Sequence, residues 1–134
     1  LGNSGDYDHQ QLIGDYLAGD SARLRLNAAE ALAKMPSKTS LNYLSNQLNQ
    51  ETDSKTRGAI LKAMGNNELD AEQVDSIYAF ADASNPKDIR SAAISALSQQ
   101  AKGKKEVKSR LKALVKTETN QKNLRQLMKA LYGS

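Results

Sequence analysis

Few residues in this chain could carry covalent chemistry, and they are poorly grouped for it. His9 is the single histidine, standing beside Asp6 and Asp8. An imidazole titrates near neutral pH and is the usual general base. One histidine with no cysteine cannot build a zinc or di-iron site of the usual kinds. Serines are plentiful, but they fall at helix starts and polar surfaces rather than beside a base that could activate them. Neither a phosphate-binding P-loop nor a dinucleotide fingerprint occurs. The segment therefore reads as non-catalytic, with no cofactor and no metal implied.

The other chemistry is electrostatic. Residues 1–101 carry 9 Lys and Arg against 13 Asp and Glu, whereas residues 102–134 carry 10 against 2. Lys104, Lys108, Lys112 and Lys116 recur every four residues and define one stripe of a helix, with Lys105 adjoining. Like charges at that spacing repel by about 0.2–0.5 kcal/mol per pair. One explanation is an anionic partner such as nucleic acid, lipid headgroups or an acidic protein. The other is internal neutralisation by Glu68, Asp70, Glu72, Asp75 and Asp82, a stretch with no Lys or Arg between 68 and 82. Base-stacking platforms are scarce, since Trp is absent and Phe is single.

These residues must be held by helices, and the helices recur. Ala31-Leu32, Ala63-Met64, Ala96-Leu97 and Ala130-Leu131 each close a helical run, and Leu1-Gly2-Asn3 matches Met64-Gly65-Asn66 as the tail of a further copy. The closing residues fall at 1, 32, 64, 97 and 131, spacings of 31, 32, 33 and 34. Such a period marks a repeat array in which each unit is too small to bury its own core. Twelve residues before each closure stand Asp20, Thr52, Asn85 and Thr119, candidate acceptors for the free N–H groups of a helix start, with Asn120 the alternative to Thr119 at the eighth helix. Between them run apolar columns, among them Ala28, Ile60, Ala93, Leu127 and Ala29, Leu61, Ile94, Met128. Eight helices are expected, broken near 19, 36, 51, 67, 85, 103 and 119. The first is expected over 7–18, after a glycine-containing turn at 1–6, with Leu12, Ile13, Tyr16 and Leu17 as its apolar face. Asp70 with Gln73 three residues on fits a capping box.

Composition agrees with an all-α fold: Ala, Leu, Asn, Gln, Ser and Lys dominate and only two prolines occur. No stretch approaches the ~18 apolar residues of a membrane span. The chain opens inside a repeat without Met, which reads as a segment, residues 1–134, of a longer protein.

At these residues the chain resembles HEAT-like repeats of the short type. The likeness rests on the Leu1-Gly2-Asn3-Ser4-Gly5-Asp6 junction and on an apolar residue followed by Arg early in the second helix of a repeat: Leu24-Arg25, Ile89-Arg90 and, more loosely, Thr56-Arg57. Asn123-Leu124 departs from it in the fourth copy. The resemblance implies a right-handed α-α superhelix, a HEAT/armadillo-like solenoid of about four antiparallel helix pairs. It also implies that Arg25, Arg57 and Arg90 join a ladder of polar contacts between repeats. The same junction looks like the helical domain of vitellogenin-type lipid carriers, which would imply part of a lipid-carrying shell. The expected function is a scaffold for a protein partner. The alternatives are that lipid role and polyanion binding through Lys104, Lys105, Lys108, Lys112 and Lys116.

Overall fold

The computed structural model describes residues 2–133, with side chains from residue 9 onward. Among the described residues there are eight α-helices and no strand. They are α1 (Gly2–Leu17), α2 (Ala22–Ala33), α3 (Lys38–Leu48), α4 (Ser54–Met64), α5 (Ala71–Phe80), α6 (Lys87–Gln100), α7 (Lys105–Val115) and α8 (Gln121–Tyr132). The seven breaks lie where the sequence places them.

Side-chain caps set most helix starts. Ser21, Ser37, Asp53, Asp70 and Asn120 each accept a bond from the backbone N–H three residues on. Each satisfies a donor that the helix itself leaves unpaired. Asp70 and Gln73 complete the capping box reciprocally. Two expectations are corrected. α2, α4 and α6 start one residue later than expected, so Ser21, Asp53 and Pro86 are their caps, and of the two candidates for α8, Thr119 and Asn120, it is Asn120 that caps it. Asp20, Thr52, Asn85 and Thr119 stand one position outside. The first helix starts at Gly2 rather than near Tyr7. A helical glycine costs about 1 kcal/mol against alanine but does not by itself end a helix. Gly2 thus opens a helix where Gly65 closes one, and Leu1 lies outside the described residues.

The chain divides into two compact units, residues 1–67 and 68–134. In the first, α2 packs on α4, α1 on α2 and α3, and α3 on α4. Its core is built from Leu17, Leu32, Leu44, Leu48, Ile60, Leu61 and Met64, all nearly inaccessible to solvent. Gly14 is buried where α1 meets α3: a Cβ there would lie 2.5 Å from the Tyr43 ring. In the second unit α5 packs on α6, while α8 packs on both α6 and α7. Ile77, Ile94, Leu97, Leu111 and Leu127 fill its core. Each such side chain contributes roughly 1.5–3 kcal/mol relative to exposure.

The expected apolar face of α1 is only partly covered. Leu17 is buried, Ile13 is half-buried, and Leu12 and Tyr16 are exposed.

Candidate functional site

The recurring arginine of the sequence, early in three of the four even helices, resolves into a specific geometry. Arg25 sits in the first turns of α2. Its Nε donates to Glu51 Oε1 at 2.9 Å, its Nη2 to Glu51 Oε2 at 3.1 Å, and its Nη1 to the Gly19 carbonyl at 2.9 Å. Arg90 repeats the arrangement in the second unit. Its Nε and Nη2 reach the two oxygens of Glu118 at 3.0 and 2.9 Å, and its Nη1 donates to the Asn85 carbonyl. Both contacts are bidentate forks, the strong form of the arginine–carboxylate bond. Arg57 also binds backbone beside its own helix start, donating to the Glu51 carbonyl.

The carboxylates do a second job. Glu51 Oε2 accepts from the Asp53 N–H at 3.1 Å. Glu118 Oε2 accepts from the N–H groups of Thr119 and Asn120 at 3.1 and 2.9 Å. Each therefore ties the preceding even helix to the start of the next one. For Glu51, burial pushes the carboxyl up, but bonds from Arg25, Gln47 and the Asp53 N–H outweigh it and hold the group below its ordinary value. For Glu118 the bond from Arg90 leads, and the carboxyl is again held low. Neither glutamate stands out in the sequence read alone. The signal is there: Glu51-Thr52-Asp53 and Glu118-Thr119-Asn120 repeat one pattern just before a helix. The third copy has Ser84 at that position.

The lysine stripe is split by the fold. Lys104 lies 3.3 Å from Glu68 and also donates to Gln100 at 3.2 Å. Arg110, not a lysine of the stripe, takes Asp75, and its guanidinium lies over the Tyr78 ring at 4.8 Å. Acid before and on α5 thus meets base at and on α7, through Lys104 and Arg110. Lys105, Lys108, Lys112 and Lys116 are exposed, and none forms an ion pair among the described residues. Val107, Leu111 and Leu114 occupy the opposite, buried side of α7.

Two concavities accompany these residues. In the second unit a cleft of about 640 Å³ lies between α6, α7 and α8. Lys102, Lys108 and Lys129 line it with Ser98, Gln99 and Gln126, and among the described residues no Asp or Glu does. Lys102 and Lys129 were not anticipated, because they come from different elements than the stripe. In the first unit a groove of about 300 Å³ is lined by Ile13, Tyr16, Leu24, Asn27, Ala28 and Ala31. It is mostly apolar.

Among the described residues no three His, Asp or Glu side chains stand close enough to hold a metal ion. Among them, too, no helix is long and apolar enough to cross a membrane. No protein-family model, curated protein or solved structure matches the chain.

Proposed function

We propose that this chain is a non-catalytic helical-repeat scaffold, HEAT-like in organisation, that binds a protein partner. In this reading the eight helices form four antiparallel pairs stacked as a right-handed solenoid, and Arg25, Arg57 and Arg90 serve the joints between pairs. The carrying observation is the apolar groove of the first unit. Leu12, Tyr16 and Leu24 are large apolar side chains at half exposure, beside a concavity lined by Ile13, Ala28 and Ala31. Contiguous apolar surface on a soluble domain is costly to leave in water and commonly marks a docking site. The test compares wild type with Leu24→Glu as bait. A discrete partner retained by wild type and released by the variant supports the reading. Equal retention by both rejects it.

A second reading is favoured by the cleft between α6, α7 and α8. Three lysines line it, and among the described residues no Asp or Glu does, so a polyanion there would gain Coulomb energy and release counterions. Heparin retention at low salt should fall steeply as salt rises. Lys108→Glu with Lys129→Glu should abolish it, while Lys105→Glu with Lys116→Glu, outside the cleft, should weaken it less. Loss of the same size in both pairs would leave only diffuse charge.

A further inference from the structure

Carboxylates in this chain pair mostly with arginine. Glu51, Glu118 and Asp75 are taken by Arg25, Arg90 and Arg110, and Glu68 by Lys104. The planar guanidinium fork matches a planar carboxylate. The cleft between α6, α7 and α8 is built differently. Its basic residues are lysines alone: Lys102 from the α6–α7 turn, Lys108 from α7 and Lys129 from α8. All three are exposed, and none forms an ion pair among the described residues. An ammonium is a compact point charge with rotatable donors, and it suits a tetrahedral oxyanion such as phosphate. A phosphate monoester carries about −1.5 to −2 near neutral pH, so two of them balance the three lysines.

The uncharged lining says what lies between the phosphates. Ser98 Oγ donates to the Ile94 carbonyl at 2.7 Å, so its proton is committed and its oxygen is left to accept. Gln126 Oε1 accepts from the Ser91 hydroxyl at 3.5 Å, which leaves the amide N–H groups to donate. Gln99 is exposed and carries both kinds of group. An acceptor beside ammonium groups is of no use to a bare phosphate chain, which has few protons to offer. It serves a ligand that bears hydroxyl groups. Among the described residues no aromatic side chain lines the cleft, so a nucleobase would find no ring to stack on. The volume of about 640 Å³ is that of a site for a compact ligand.

We propose that this cleft binds a polyol bearing two or more phosphates, either free in solution or as the headgroup of a lipid. The inference rests on reading the cleft as an anion site, and it narrows the ligand from any polyanion to this class. The lysines hold the phosphates, and Ser98, Gln99 and Gln126 meet the hydroxyl groups.

Titration calorimetry on the full chain tests it, with inositol trisphosphate as the probe. Wild type should bind one equivalent. Tripolyphosphate, which has the charge without the hydroxyl groups, should bind more weakly, and so should citrate, which has carboxylates in place of phosphates. Lys108→Gln and Lys129→Gln alter exposed positions and should keep wild-type melting behaviour, yet each should weaken trisphosphate binding by about tenfold, the worth of one charge-assisted contact. Lys105→Gln with Lys116→Gln, outside the cleft, should weaken it less. Ser98→Ala should weaken the trisphosphate and leave tripolyphosphate unchanged. Tripolyphosphate or citrate binding as tightly as the trisphosphate overturns the inference, as does a loss of equal size in the variants inside and outside the cleft. Vesicles of phosphatidylcholine with phosphatidylinositol bisphosphate, compared with vesicles matched in charge by phosphatidylserine, separate the two sources. Preferential capture by the first, reversed by soluble trisphosphate, assigns the headgroup, and trisphosphate binding without capture assigns the free ligand. Heparin retention that needs Lys108 and Lys129, with no trisphosphate binding, leaves the anion site standing and overturns the ligand class alone. Absence of both overturns both.

Discussion

At the residue scale, the two arginine–glutamate clasps make specific, testable contributions to stability. Glu118 is almost fully buried and accepts from Arg90 and from two backbone N–H groups. Removing one member of a buried pair strands the other, which costs more than the pair itself contributes. Glu118→Ala should lower unfolding stability by about 2–3 kcal/mol, and Glu118→Gln by less, because the amide oxygen still accepts. Denaturant titration checks both. The clasps also set an acid limb. Glu51 and Glu118 titrate lower in the folded state than the ordinary 4.5 of an unfolded glutamate. Between those values the unfolded chain binds more protons, so stability is full above about pH 4.5 and is lost as pH falls through the folded values. Melting temperature against pH should show that loss, and a Glu51→Gln, Glu118→Gln protein should show a flatter acid limb. Gly14 offers a cleaner local test. Alanine there gains about 1 kcal/mol of helix propensity but overlaps the Tyr43 ring, and overpacking costs typically 1–3 kcal/mol. Gly14→Ala should therefore destabilise in wild type and stabilise in a Tyr43→Ala background. Stabilisation in both would mean that the ring simply moves aside, and destabilisation in both that the Tyr43 ring is not what opposes the added Cβ.

At the scale of the element, local signals carried far and non-local ones did not. The breaks, the Asp70–Gln73 capping box and the apolar columns were legible because cap chemistry and helical period act within a few residues. Asp70→Ala should cost about 1 kcal/mol, the usual worth of such a cap, and circular dichroism melts can register it. The cap register was off by one at α2 and α4, and open between two residues at α8, because Asp20, Thr52 and Thr119 have side chains as suitable as those of Ser21, Asp53 and Asn120. Only backbone geometry separates the two. Glu51 and Glu118 were missed: the Glu-Thr-Asp/Asn pattern before a helix marks their places, but their partners lie 26 and 28 residues away and the pattern does not name them. The face of α1 was misjudged for the same reason. Leu12 and Leu17 are equally apolar, but α2 and α3 reach one and not the other. On α7 the spacing puts Lys108 and Lys112 on the exposed side, but Lys104 and Lys116 stand at the caps outside the helix, and it could not say that Glu68 takes Lys104 while Asp75 takes Arg110.

At the scale of the whole molecule, apolar columns run through all four copies, so the sequence reads as one continuous array. The contacts instead gather into residues 1–67 and 68–134. Each unit owns one complete clasp, Arg25 with Glu51 and Arg90 with Glu118, and the position that would supply a glutamate to the third copy holds Ser84. In a repeat protein, stability is roughly a sum of local terms and nearest-neighbour interfaces, so a lesion acts first where its partners lie. Hydrogen exchange should therefore report two cooperative blocks that meet near residue 67. Glu118→Ala should speed exchange across α6 to α8 several-fold more than across α2 to α4, and Glu51→Ala should do the reverse. Within the first block α1 should exchange fastest, because Leu12 and Tyr16 bury little and part of its stability rests on Leu17 and the close approach at Gly14. Uniform acceleration of both blocks by either variant would mean that the molecule opens as one cooperative whole, and the two-block account would be wrong.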